Sequence, residues 1–273
     1  MYVSPFKSNI NCPKVPATKA NALRQKFCKS LKSSMDIFIA AGPNLFNGFD
    51  IFDSFGDSKM LSGKFMATYI SFIRHDEQAH MPDGGGYRVF LSQQLGEVLN
   101  IEEHEWDAEF SIQVAHDILK HDLLGIAPHK VKLFFLPVLH KDHWTVYCLN
   151  MIHTRIDVLD SSPADQRTYH EILADRIVPR LNELFQKVTN GGVKQFRRWK
   201  RPIIDLPKQF KDPDSGFLAI KNMVLWNGDA LESQISPGRA TVYRGEVLFF
   251  LMFHPLNEEK TLPGGLETFR PQP

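Results

Sequence analysis

Only three cysteines occur in the 273 residues, Cys12, Cys28 and Cys148, and no two of them form a C-x-x-C pair. That set supports neither a disulfide framework nor a cysteine-based zinc finger. Long hydrophobic runs are missing as well. The longest unbroken apolar stretch, 247–253, is far shorter than the roughly 20 residues that span a bilayer. Net charge is nearly absent, +1 from 32 Lys+Arg and 31 Asp+Glu. With 43% hydrophobic and 23% charged residues, the composition excludes a disordered or collagen-like chain. What remains is a globular intracellular protein, long enough for one large domain and an extension.

The small net charge averages over unlike segments. Residues 1–35 lack any acid yet hold seven bases, Lys7, Lys14, Lys19, Arg24, Lys26, Lys29 and Lys32; the first carboxylate is Asp36. A second cluster, Lys194, Arg197, Arg198, Lys200 and Arg201, places five bases within eight residues. The rest of the chain is acidic. Ala20, Leu23, Phe27 and Leu31 recur at helical spacing from Thr18 onward, with bases on the other faces. A basic, acid-free amphipathic start has the composition of a mitochondrial presequence, although it carries three prolines and a single arginine. The alternative is a basic helix docked on the acidic body. The expected location is therefore mitochondrial, or otherwise cytoplasmic or nuclear.

Residues 36–58 contain Gly42-Pro43, Asn47-Gly48 and Gly56 and read as an irregular loop. Helices are expected over 64–74, 91–99 and 107–121, with a glycine-rich turn over 80–87. The pattern then changes. The runs 131–137 (VKLFFLP), 144–149 (WTVYCL) and 155–159 (RIDVL) are short, β-branched and aromatic, and read as consecutive strands. Cys148 alternates with Val146 toward the core. A helix follows over 168–188, with Pro179 as an expected kink, then a short strand over 203–206 and helices over 217–226 and 242–253. Helices, a sheet, then helices again make an α+β fold.

Four positions carry chemistry. His143 and Trp144 open one strand, and Asp160 ends the next. A carboxylate beside an imidazole fixes which ring nitrogen holds the proton. Gln209 precedes Asp214-Ser215-Gly216 and an apolar helix. A nucleophile at a helix start profits from the helix dipole, and a nearby Gln amide can meet a developing oxyanion. His140-Lys141-Asp142-His143 could suggest a metal pair, but no Cys or Glu lies at ligand spacing, and no metal or cofactor is expected. Lys194 to Arg201 interleaves Phe196 and Trp199 with bases, as RNA-binding stretches do, yet a solvated loop explains it equally well. Nucleic acid is not an expected partner.

These residues resemble the ubiquitin-like-protein-specific (Ulp, sentrin-specific) proteases, which cleave SUMO-type modifiers. The family's pattern is His-Trp, Asp seventeen residues later, then Gln and, six residues on, Cys within Asp-Cys-Gly. Here it reads His143-Trp144, Asp160, Gln209 and Asp214-Ser215-Gly216. Residues 59–72 (KMLSGKFMATYISF) are similar to the family's early helix. The resemblance implies a papain-like fold with a central mixed sheet flanked by helices, spanning 58–258. Residues 1–57 would be an extension and 259–273 a tail. It implies a catalytic set of His143, Asp160, Gln209 and Ser215, and a modifier-tail channel at Trp144, Met60 and Gly216.

Two positions depart from the family pattern: Ser215 replaces Cys, and Met60 stands where a Trp is usual. A thiol ionises near pH ~8.5, whereas a serine hydroxyl is far harder to deprotonate. The first expectation is therefore an inactive protease relative that acts by binding a protein, either a ubiquitin-like modifier or its conjugates. The second is an active SUMO-type deconjugating protease carrying a Cys-to-Ser change. Asp214-Ser215-Gly216 also matches the trypsin-like nucleophile motif. That reading fails because the His-to-Asp gap is too short for two β-barrels and a helix follows the serine.

Overall fold

Strands covered on both faces are apolar at nearly every position, and the central pair here follows that rule. In the computed structural model, which describes residues 16–79, 87–102, 110–263 and 265–271, β4 (Leu133–His140) and β5 (His143–Asn150) form an antiparallel hairpin. Lys141 and Asp142 close it, both in the left-handed region (φ 49° and 57°) as a tight two-residue turn requires. β6 (Arg155–Leu159) pairs antiparallel with β5, and the short β3 (Arg88–Phe90) pairs parallel with β4. The sheet order is thus β3-β4-β5-β6, a mixed sheet.

Side-chain alternation divides the core in two. Leu133, Phe135, Trp144, Val146 and Cys148 face α3 (Gly63–Ala79), α7 (Ser215–Leu225) and α8 (Ala240–Phe253). Phe134, Leu136, Val138, Tyr147 and Leu149 face α4 (Gln93–Asn100), α5 (Ile112–Asp122) and α6 (Arg167–Val188). The α+β expectation and the three consecutive strands are what the structure has. Cys148 is fully buried, and burial pushes its thiol well up, so it is a packed, protonated side chain. Helix α6 continues through Pro179 as one element.

Several local readings need correction. Residues 36–58 are ordered as β1 (Ile37–Ala41), β2 (Asn44–Asn47) and α2 (Gly48–Phe55), not as an irregular loop. The turn residues that suggested a loop have specific work here. Gly42 supplies the positive φ (56°) between β1 and β2. Asn47 caps α2, its side chain accepting from the Asp50 N–H while Asp50 accepts from the Asn47 N–H, each at 3.0 Å. Leu91 follows β3 directly, and α4 starts only after the Ser92 cap. Helix α5 starts at Ile112; residues 107–109 and most of the 80–87 turn lie outside the described residues. The strand expected at 203–206 begins earlier, where Lys200 to Ile204 runs parallel to β6.

The N-terminal segment joins the core. Helix α1 (Ala17–Lys26) continues as a wider π-helical turn through Leu31, and Ala20, Leu23 and Phe27 are fully buried. Gly245 of α8 meets it so closely that a Cβ there would lie 2.8 Å from the Ala20 carbonyl. Arg24 donates to the Phe55 carbonyl at 3.0 Å and pairs with Asp57 at 2.9 Å. Residues near the other end, Leu262 and Leu266, are buried in the same cluster. The described parts of the expected extension and tail therefore pack with α3, α7 and α8 as one body. Among the described residues, no helix is long and apolar enough to cross a membrane.

Candidate active site

The β4–β5 turn delivers His143 to the first position of β5, and β6 ends one residue before Asp160. The two side chains meet at 2.6 Å, His143 Nε2 to Asp160 Oδ1. The other carboxylate oxygen, Oδ2, meets His170 Nε2 of α6 at 2.8 Å, and the Ser162 N–H donates to Oδ1 at 2.8 Å. Burial works against the Asp160 charge, but the bonds from His143, His170 and Ser162 more than offset it. They hold the carboxyl well below the usual range. An ionised carboxylate only accepts hydrogen bonds, so both histidines present Nε2–H to it. His143 Nδ1 then keeps its lone pair, the tautomer a general base needs. On the far side, the Tyr147 hydroxyl lies 3.1 Å from His170 Nδ1. Burial pushes that hydroxyl well up in pKa, so it stays protonated and donates.

Ser215 is the first residue of α7 and is completely buried. Its Oγ accepts from the Trp144 backbone N–H at 3.3 Å; no hydrogen bond joins it to His143. The Ser215 N–H turns back to the Asp212 carbonyl in a 3-10 turn. Gln209 is tied to Ser161 twice. Its N–H donates to the Ser161 carbonyl at 2.7 Å, and its Oε1 accepts from the Ser161 hydroxyl at 2.9 Å. This fixes the amide orientation and leaves the Gln209 side-chain N–H2 without a protein partner among the described residues. That amide is therefore free to donate to an incoming group.

Trp144 is 1% exposed, and its indole N–H donates to the Leu61 carbonyl at 3.0 Å. It lies against Gly216, where a Cβ would sit 2.9 Å from Trp144 Cδ1 and 2.8 Å from Leu61 Cβ. Only glycine lets the start of α7 slide under both side chains. Met60, half-buried, precedes Leu61 at this wall. A run of contacts thus links these residues: His143 to Asp160, Ser161 beside Asp160 to Gln209, and Trp144 beside His143 to Ser215 and Gly216, with Met60 next to Leu61.

The fold that carries this imidazole, carboxylate and helix-start hydroxyl has solved counterparts. The C-terminal Ulp1 protease domain, in complex with Smt3, the yeast ortholog of SUMO, superposes with a TM-score of 0.63. The alignment covers 89% of this chain and 98% of that one at 12% identity. This is the Ulp protease fold. The Chaetomium thermophilum Ulp1-like SUMO protease catalytic domain gives 0.62 at 13% identity, over 89% of this chain and 92% of that one. A de-sumoylating protease gives 0.51 at 11% identity, over 70% and 72%. No protein-family model and no curated protein sequence matches the chain.

Within the Ulp fold, two residues that sequence spacing did not single out support the site. One is His170, described above. The other is Arg244, 1% exposed in the middle of α8. It binds Asp214 Oδ1 at 2.7 and 3.2 Å and donates to the carbonyls of Gly56, Lys59 and Pro213 at 2.8, 2.6 and 3.0 Å. Its guanidinium also lies 4.3 Å above the Phe217 ring. A base in a largely apolar helix was the available signal. Burial works against this charge, and the Asp214 contact favours it. Arg244→Met strands a buried carboxylate and three carbonyls. It is expected to cost about 3–5 kcal/mol in urea unfolding, and more than Asp214→Asn, which leaves the cation its carbonyl partners.

The basic cluster stands elsewhere. Lys194, Arg197, Arg198 and Lys200 are exposed on the segment between α6 and α7, and Arg201 pairs with Asp175. His140 hydrogen-bonds the Asn100 side chain at 3.1 Å. Remote from the site, His75, Asp76 and His254 come within metal-ligand reach of one another. The Leu256 N–H donates to His254 Nδ1, so the Nε2–H is turned to Asp76 at 3.0 Å. That ring is engaged in a hydrogen-bonded pair and offers no lone pair to a metal.

Proposed function

We propose that this chain is a Ulp-like pseudo-protease, a peptidase fold that binds a ubiquitin-like modifier or its conjugates without cleaving them. The observation that carries the reading is Ser215. Its hydroxyl occupies the nucleophile position yet is bonded to the Trp144 N–H instead of His143. A neutral hydroxyl with one lone pair already engaged and no base in contact is a poor nucleophile. Modifier binding is supported by the solved relative, a Ulp1 domain in complex with Smt3. The acid-free first 35 residues support a mitochondrial partner as the narrower version of this proposal.

The His143–Asp160 pair and the free Gln209 amide favour a second reading, an active deconjugating protease whose working form has Cys at 215. One experiment separates the two. The purified chain and its Ser215→Cys variant are treated with a SUMO-type modifier ending in a Gly-Gly electrophile. The chain with Ser215 is expected to bind unmodified SUMO and to form no adduct, while Ser215→Cys forms one. An adduct or peptide cleavage with Ser215 in place would overturn the pseudo-protease reading. No adduct with Ser215→Cys would show that the decay extends beyond the nucleophile and would sink the second reading.

A further inference from the structure

The segment between α6 and the nucleophile turn carries the densest run of bases in the chain, five in the eight residues 194–201, and buried side chains and hydrogen bonds hold it. Val193 and Phe196 are buried, and Asn182 Oδ1 accepts from the N–H groups of Phe196 and Arg197 at 2.7 and 3.2 Å. The chain then runs parallel to β6. The Ile156 N–H donates to the Lys200 carbonyl at 2.8 Å, the Val158 N–H to the Pro202 carbonyl at 2.9 Å, and the Ile204 N–H to the Val158 carbonyl at 2.9 Å. In such a register the backbone groups of alternate residues point to opposite sides. Those of 200, 202 and 204 turn inward, so the N–H and C=O of Arg201 and Ile203 turn outward. None of these four outward groups is hydrogen-bonded among the described residues. Pro202, which lacks an N–H, falls at an inward position, so the outward row keeps both of its donors.

Beside this open edge stand Lys194, Arg197, Arg198 and Lys200, all exposed and without an ion-pair partner among the described residues. A cleft of about 320 Å³, lined by Val158, Arg167, His170, Glu171, Arg201 and Ile203, opens next to the edge, with two arginines against its single carboxylate. We propose that the edge at 201–203 docks an acidic, extended segment of a partner protein. That segment adds as a further strand and sets its carboxylates against the four bases. Nucleic acid fits less well. Phe196 is fully buried and Trp199 packs half-buried against it at 5.9 Å, so the two aromatics interleaved with the bases form no open stacking platform. A second copy of the same edge is disfavoured by repulsion between like charges.

The test is a titration of the full chain with a labelled short peptide alternating Glu and Val, read by fluorescence anisotropy and by amide NMR shifts. Controls are the Lys-for-Glu peptide, a peptide N-methylated along one edge, and oligouridine RNA. The acidic peptide is expected to bind, with shifts confined to 194–205 and affinity falling as salt rises. The combined Lys194→Ala, Arg197→Ala, Arg198→Ala and Lys200→Ala variant should weaken binding at least about tenfold, as should N-methylation of the peptide. These bases are exposed, so the variant's urea midpoint is expected to stay at the wild-type value. The proposal is overturned if the acidic peptide does not bind, if the quadruple variant or the N-methylated peptide binds as well as the original, or if oligouridine binds more tightly.

Discussion

A chain that begins at Lys32 is expected not to fold. Leu23 and Phe27 are fully buried, and burying two such side chains contributes about 3–6 kcal/mol. Ala20 adds to this, and its loss exposes the face of α8 that Gly245 keeps flat for α1. Asp57 loses its partner Arg24, and the Phe55 carbonyl loses its donor. Together these terms approach the total stability of an ordinary domain, about 5–15 kcal/mol. The measurement is expression of the truncated chain followed by circular dichroism and urea unfolding. A soluble product with a cooperative transition at the full-length midpoint would refute the prediction. The same argument bears on targeting. A presequence removed after import would have to be cut before Ala17 to leave the core intact. If the truncated chain folds, α1 is free to serve as an address; if it does not, α1 serves the fold.

The two outcomes at the N-terminus illustrate what spacing can and cannot carry. The helical repeat of Ala20, Leu23 and Phe27 was legible, because burial of one face imposes a period close to four. What that face packs against was not, since Gly245 lies more than two hundred residues away and has no side chain to announce the contact. The order His143, Asp160, Gln209, Ser215 was readable for a different reason. His143 and Asp160 stand at the ends of consecutive strands that pair, whereas Gln209 and Ser215 were joined to them by the spacing of the family pattern they resemble. His170 and Arg244 escaped because each acts across elements, from α6 onto the end of β6 and from α8 onto the start of α7. A single histidine in a helix has no spacing signature. The β1–β2 hairpin and α2 were hidden because Gly42-Pro43 and Asn47-Gly48 are the signals of a loop and equally of a tight turn and a cap. The basic cluster was plain in the sequence, but its position beside an open sheet edge emerges only from the pairing of Lys200 to Ile204 with β6.

Asp160→Asn, placed in the Ser215→Cys background, is expected to slow labelling by the electrophilic modifier probe by about 10³–10⁴-fold. An amide at this position can donate as well as accept. By donating to His143 Nε2 it would move the ring proton to Nδ1 and remove the lone pair that faces residue 215. His170 acts one step further back. His170→Gln weakens the hold on Oδ2 and breaks the contact with Tyr147, so the Asp160 carboxyl rises from its depressed position toward the ordinary value near ~3.9. The consequence can be read without any nucleophile. A carboxyl held lower in the folded than in the unfolded chain contributes stability that is fully present above the unfolded value. That stability is lost as pH falls through the folded one. Urea unfolding of the wild-type chain between about pH 2 and 5 should therefore show stability climbing with pH, and His170→Gln should flatten the climb. Its effect should be smaller near pH 2, below the unfolded value, where much of the stability that the depressed carboxyl contributes has already been lost. A loss of stability equal at all pH values would mean that His170 serves packing alone. In the Ser215→Cys background, the same variant should move the acid limb of the labelling profile upward in pH. That shift would identify His170 as the residue that keeps Asp160 ionised and aimed at His143.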